Sequence, residues 1–199
     1  MQYFNISGSF RSPRALRLAA AITMVAVAGA CSDPYKQIAT YTNVSQPITV
    51  HALTGTPLYV ATALSVPGAT VAKVDGSFSF DVAFDIDNSG NIVYLPPHMV
   101  GENPLGNRRV GIQKSAVPYD NITQAPLSGY VYDSVTVARV GETVVVQTPA
   151  SICSLYTLPF MYAKIVIDSI EPVTRTLYGR TMVNQNCTFR SLMAGLPTN

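Results

Sequence analysis

Between residues 77 and 86 the chain reads SFSFDVAFDI. Phe78, Phe80, Val82, Phe84 and Ile86 occupy one parity, and polar or small residues occupy the other. A period of two marks a strand with one buried face. Shorter runs of the same kind recur, rich in β-branched and aromatic residues and bounded by Pro, Gly and Asn. They predict strands at 38–43, 48–53, 58–64, 70–74, 77–86, 91–94, 110–116, 129–140, 143–148, 161–170 and 175–184. Outside residues 18–30, no stretch of ten or more residues carries a 3.6-residue period, so helix is confined to single turns near 151–156 or 190–194. Fourteen prolines and thirteen glycines supply the turns that so many short strands require. The pattern predicts an all-β fold, an antiparallel β-sandwich of the Ig-like or a related kind, without solenoid-type repeats. The longest loop signal, 96–106 (PPHMVGENPLG), is expected to divide an N-terminal sheet from a C-terminal one.

One apolar run departs from this pattern. Leu18 to Ala30 (LAAAITMVAVAGA) is apolar except for Thr23, and it follows Arg11, Arg14 and Arg17 with no acid before it. A basic segment, an apolar stretch of about 7–15 residues and small residues at its end make a secretory signal. The run is shorter than the roughly 20 residues of a membrane-spanning helix. It ends Ala28-Gly29-Ala30-Cys31, followed by Ser32 and Asp33. These residues resemble the lipobox of bacterial lipoproteins, whose small residues let the peptidase groove reach the backbone; Ala28 stands where leucine is usual. The resemblance runs from Met1 to Asp33 and covers none of the domain that follows. It implies acylation of Cys31 and a membrane anchor in the bacterial cell envelope. By the sorting rule known for enterobacteria, Ser32 implies the outer membrane, on its periplasmic or surface face, rather than the inner. The same residues also fit an ordinary signal cut ahead of a structural cysteine. Residues 1–30 are therefore expected to be a signal peptide, 31–37 a lipid-proximal tether, and 38–199 a single β-rich domain.

Removal of the signal changes the charge. The full chain carries 13 Lys+Arg against 11 Asp+Glu; without the three signal arginines, Cys31–Asn199 carries 10 against the same 11. A mature chain with a side-chain charge near −1 has no basic surplus for a phosphate backbone, so no nucleic-acid partner is expected. The length is sufficient for one hydrophobic core.

Acylation of Cys31 leaves Cys153 and Cys187, an even remainder in an exported chain, which suggests a disulfide. The strand pattern supplies a geometric reason. If 143–148, 161–170 and 175–184 are consecutive antiparallel strands, the first and third run the same way. Cys153 lies five residues past the end of the first and Cys187 three past the end of the third, so both fall at one edge of the sheet. Two free buried thiols are the alternative. A metal site is disfavoured because no His or further Cys lies nearby in sequence.

Four groups of residues invite a functional reading. Asp85-Ile86-Asp87-Asn88-Ser89-Gly90-Asn91-Ile92 resembles the first half of an EF-hand loop, but position twelve is Pro96 in place of a bidentate Glu, and the flanks read as strands. A β-hairpin with its turn at Asn88–Gly90, capped by the Asp side chains, fits better. A weak calcium site using Asp85, Asp87, Ser89 and the Asn91 carbonyl stays open. The two histidines, His51 and His98, have no Gly-x-Ser-x-Gly elbow to serve. Asp81, Asp85 and Asp87 share a parity and are expected on the solvated face of one hairpin rather than as a glycosidase pair. Eleven tyrosines and no tryptophan leave Tyr130 and Tyr132, on one strand face, as candidates for stacking on a sugar or a partner.

The expectation is a membrane-anchored envelope lipoprotein whose β domain serves protein interaction or a structural role, without catalysis and without a cofactor. Its partners would be the membrane, through the N-terminal lipid, and an envelope protein. The alternative is a lipoprotein that binds a saccharide or apolar small molecule through its tyrosines, with calcium in support. No catalytic constellation favours a third reading as a hydrolase.

Overall fold

Ten strands form two five-stranded sheets in a computed structural model that describes residues 37–77, 79–101, 109–154 and 159–198. The strands are β1 (Ser45–His51), β2 (Ala63–Ser65), β3 (Thr70–Ala72), β4 (Val82–Ile86), β5 (Ile92–Leu95), β6 (Gly111–Lys114), β7 (Thr136–Ala138), β8 (Thr143–Pro149), β9 (Phe160–Glu171) and β10 (Thr176–Asn184). Sheet one runs β1-β10-β9-β8-β6 and sheet two β3-β2-β4-β5-β7, with every neighbouring pair antiparallel. Among the described residues, helix is limited to single 3-10 turns at Pro97–Met99, Tyr119–Asn121 and Ser151–Cys153, and no helix is long and apolar enough to cross a membrane. The fold is an all-β sandwich. The chain divides into Met1–Ile38 and Ala39–Asn199, and every strand belongs to the second unit. The signal segment, Cys31 and all of the tether except Gln37 lie outside the described residues.

Alternation decides which side chains meet between the sheets. Ile48 and Val50 of β1, Val144 and Val146 of β8, Ala163, Ile165 and Ile167 of β9 and Leu177 of β10 face Leu64 of β2, Val82 and Phe84 of β4, and Ile92 and Tyr94 of β5. Phe84 and Tyr94 are direct cross-strand partners whose rings meet edge-on at 5.5 Å.

Several expected elements differ in the structure. Residues 38–43 form no strand; only Asn43 pairs, with Gly195. The expected strands 58–64 and 129–140 contribute only the short β2 and β7 and a single bridge from Val131 to Ile112. The loop near 96–106 does not divide the sheets: β1 closes the edge of the largely C-terminal sheet one, and β7 closes the edge of sheet two. Seven residues of β1 pair with β10, whose edge would otherwise be open. The predicted strand 77–86 begins only at Val82. Phe80 packs with Ala63 and Ala83 on the outer side of sheet two, whereas Val82 and Phe84 face the interior, so the parity breaks at Asp81.

The centre of sheet one is buried on both faces. Opposite the sandwich interior, Val145 and Tyr162 pack with Ile122, Ala125, Tyr130 and Leu192, and Val166 and Met182 pack with Tyr119. Segments 119–131 and 189–192 thus form a coil layer over this sheet. Consecutive buried positions in β8 (Thr143–Thr148) and β9 (Met161–Ile167) are the mark of strands covered on both sides.

The β9–β10 ladder changes register between Tyr178 and Gly179. A Cβ on Gly179 would lie 2.1 Å from the Val166 carbonyl oxygen, an overlap with backbone that no rotamer relieves. Gly179→Ala is expected to destabilise the protein by about 2 kcal/mol or more, read as a lower denaturant midpoint with an unchanged slope. An unaltered midpoint would refute this account of the ladder.

Candidate functional site

The three acids of the predicted hairpin part company. Asp81 is fully buried rather than solvated. Its carboxylate accepts the Val66 amide at 2.7 Å and the Thr148 hydroxyl at 2.6 Å. Thr148 lies on β8 of sheet one and Val66 just past β2 of sheet two, so Asp81 bolts the two sheets together. A buried carboxylate needs such partners, and turning it inward is what breaks the strand parity.

Asp85 faces the other end of the sandwich. It accepts the Thr54 hydroxyl at 2.6 Å and pairs with Arg175 at 3.0 Å. Arg175, in the turn between β9 and β10, also donates to the Thr54 and Ile86 carbonyls. Burial alone raises the Asp85 carboxyl, but hydrogen bonds from Thr54, the Ile86 amide and Arg175 outweigh it and hold it below the usual carboxylate value. Asp87 accepts the amides of Ser89 and Asn91 and the Asn91 side-chain amide. Gly90, at φ 77°, completes the turn. The carboxylates of the candidate calcium loop are therefore engaged in holding the hairpin. Among the described residues no three His, Cys, Asp or Glu side chains gather as a metal-holding group.

The histidines sit on unrelated elements. His51 ends β1 with a buried, unbonded Nδ1, and His98 is exposed in the Pro97–Met99 turn. Tyr130 and Tyr132 close over Gly111, where a Cβ would lie 2.6 Å from the Tyr132 ring and 2.8 Å from the Tyr130 Cβ. Tyr130 donates to the Pro126 carbonyl, and Tyr132 to Gln147, which in turn donates to Tyr162. These tyrosines hold the coil layer to the sheet, and the Arg109 guanidinium stacks on the Tyr132 ring.

Sequence patterning missed Lys164, which is 3% exposed on the coil-layer face of β9. Its ammonium donates to the Tyr119 and Ile122 carbonyls at 2.8 and 3.0 Å and stands 4.6 Å from the Tyr119 ring centre. Desolvation lowers its pKa. Arg180 stacks on the same ring at 4.8 Å while paired with Asp168. A lysine inside the apolar run MYAKIVI was the only available signal.

The densest polar constellation lies where the chain enters the domain. Asn43, Asn184 and Asn186 are buried. Asn186 accepts the Thr40 and Tyr41 amides and donates to the Tyr41 carbonyl and to Asn184. Asn184 donates to the Phe189 and Ser191 carbonyls, and Asn43 to those of Ser191 and Met193. Asn43 and Gly195 exchange two backbone hydrogen bonds, at 2.9 and 3.0 Å. Next to Asn186, Cys187 is bonded to Cys153, with S–S 2.06 Å and Cα–Cα 5.4 Å. The pair lies where β8 and β10, which flank β9 and are both antiparallel to it, end at the same edge of the sheet, so the edge argument from strand direction holds. Residues 40–43, the tail after β10 and the turn Ser151–Cys153 are thereby locked together.

The chain matches no protein-family model, no curated protein and no solved structure. The geometry is that of a fixed point: the asparagines and the disulfide tie the residues from Thr40 onward to the ends of the long strands of sheet one.

The disulfide closes 34 residues. Its removal by Cys153→Ser with Cys187→Ser is expected to cost about 2–4 kcal/mol in denaturant unfolding. Mass mapping of the wild type without reductant should find no alkylatable thiol at either position. Asp85 provides a pH test. Its folded value lies below its unfolded one, so its stabilisation is present above about pH 4 and is lost as pH falls through the folded value. Denaturation midpoints measured from about pH 5 to about pH 2 should fall less steeply for Asp85→Asn than for the wild type.

Proposed function

We propose that the protein is a lipid-anchored lipoprotein of a bacterial cell envelope, acylated on Cys31, whose β-sandwich serves protein interaction or a structural role and not catalysis. The observation that carries this reading is the lock at the beginning of the domain. A lipid anchor delivers its pull through the residues that follow the cysteine. In this chain those residues lead to Thr40 and Tyr41, held by Asn186, and to Asn43, held to the C-terminal tail. β1 then pairs along its whole length with β10, so the pull meets a seven-residue ladder in shear. The disulfide adds a covalent closure suited to an oxidising compartment. Ser32 after the cysteine supports the outer membrane as the destination.

The reading also accounts for where the polar groups go. Asp81, Asp85, Asp87, Tyr130 and Tyr132 are bonded within the domain. That arrangement suits a rigid module more than a cleft with reactive groups in reserve.

The test is Cys31→Ala in the full chain, expressed in a Gram-negative host. The wild type should take up labelled palmitate and fractionate with membranes; the variant should lose the label and appear in the soluble envelope fraction. Equal labelling of both would remove the anchor, and cleavage before an unmodified Cys31 would make the signal an ordinary one.

A further inference from the structure

We infer that the end of the sandwich where the chain enters lies on the bilayer, with Tyr41, Val44, Met193 and Leu196 as an uncharged apolar surface that settles into the interfacial zone of the lipid. The inference rests on acylation of Cys31 and adds to it an orientation of the domain.

These four side chains are 52–55% exposed. They come from two segments that the Asn43–Gly195 pairing brings side by side. Asn43 is buried while its neighbours Thr42 and Val44 are exposed, as are Ala194 and Leu196 beside Gly195. Tyr41 and Met193 flank this pair, their backbone carbonyls held by Asn186 and Asn43. Side chains carried on so firmly held a backbone present a preformed surface, and tyrosine suits a lipid–water boundary.

Charge marks the same surface. The chain holds 13 basic and 11 acidic side chains, yet residues 37–53 and 191–199 contain none, and in the tether before them Lys36 is offset by Asp33. Arg190, next along the chain, is turned back to the Ala125 carbonyl. Segments without lysine or arginine have no preference for anionic headgroups and fit a zwitterionic lipid.

Chain length makes the bilayer the occupant. Eight residue steps separate Cys31 from Ala39, the first residue of the domain. Fully extended, they reach at most about 29 Å. A lipid on Cys31 therefore keeps this end within one tether length of the membrane, at a high effective concentration. The opposite end, at the β9–β10 turn, lies the length of the nine-residue β10 away, on the order of 30 Å.

The absence of tryptophan provides a clean reporter. Val44→Trp, Met193→Trp and, as the distal control, Val173→Trp are made in the full chain, purified with the lipid attached and reconstituted in phosphatidylcholine vesicles. Val44→Trp and Met193→Trp should emit to the blue of the control and show about twofold quenching by lipids brominated on the upper acyl chain. Val173→Trp, at a position 91% exposed, should do neither. Raising salt from about 0.05 to about 0.5 M should change nothing, because no surface charge is being screened. If all three tryptophans report water while mass spectrometry finds Cys31 acylated, the orientation is wrong and the anchor stands. An unacylated Cys31 removes the anchor and this inference with it. A blue shift at Val44→Trp or Met193→Trp without quenching by brominated lipid would assign the surface to a protein contact and overturn the bilayer as its occupant.

Discussion

The central strands of sheet one are buried on both faces, and the rest of the structure answers to that constraint. Sheet two covers one face through ordinary alternation. The other face has no second sheet, so Val145, Tyr162, Val166 and Met182 are covered by coil. Coil brings backbone carbonyls and amides that no ladder pairs, and burying them unsatisfied is costly. The chain meets this with side chains that act as substitute ladders. Lys164 serves the Tyr119 and Ile122 carbonyls, Arg190 that of Ala125, and Asn43, Asn184 and Asn186 those of the N-terminal segment and the tail.

The same logic ties the domain together along its length. Three connections of different chemistry are spread through it. The Cys153–Cys187 bond lies at the end where the chain enters, the Asp81–Thr148 hydrogen bond crosses between the sheets, and the Asp85–Arg175 pair closes the distal end. Between them the packing is apolar. A mixed set of this kind resists both shear and separation, which suits a domain held at one terminus.

The treatment of the termini carries the functional argument. Most domains hold their first residues loosely. Here the asparagines bind them to the tail, and the tail itself covers sheet one through Leu192. The first residues of the domain and its core are therefore continuous. The uncharged side chains exposed at this end lie beside the same pairing, with Asn43 buried and Val44 exposed.

Features that depend on local period and chain direction were readable from the residues alone. Alternation located most of the strands and made the fold a sandwich. Runs rich in β-branched and aromatic residues marked β8 and β9, and strand direction put Cys153 and Cys187 at one edge. The Asp85–Asn91 hairpin was legible because its turn is closed by its own residues. Features that depend on partners far along the chain emerged with the fold. Asp81 finds Thr148 at a separation of 67 residues, and Asn43 finds Ser191 at 148. Neither pairing leaves a local mark, because a polar side chain reads as solvated until the fold brings it a partner. The strand predicted at 38–43 and the solvated face predicted for Asp81 failed for that one reason: hydrogen bonds made across the fold outweighed the parity of the residues beside them.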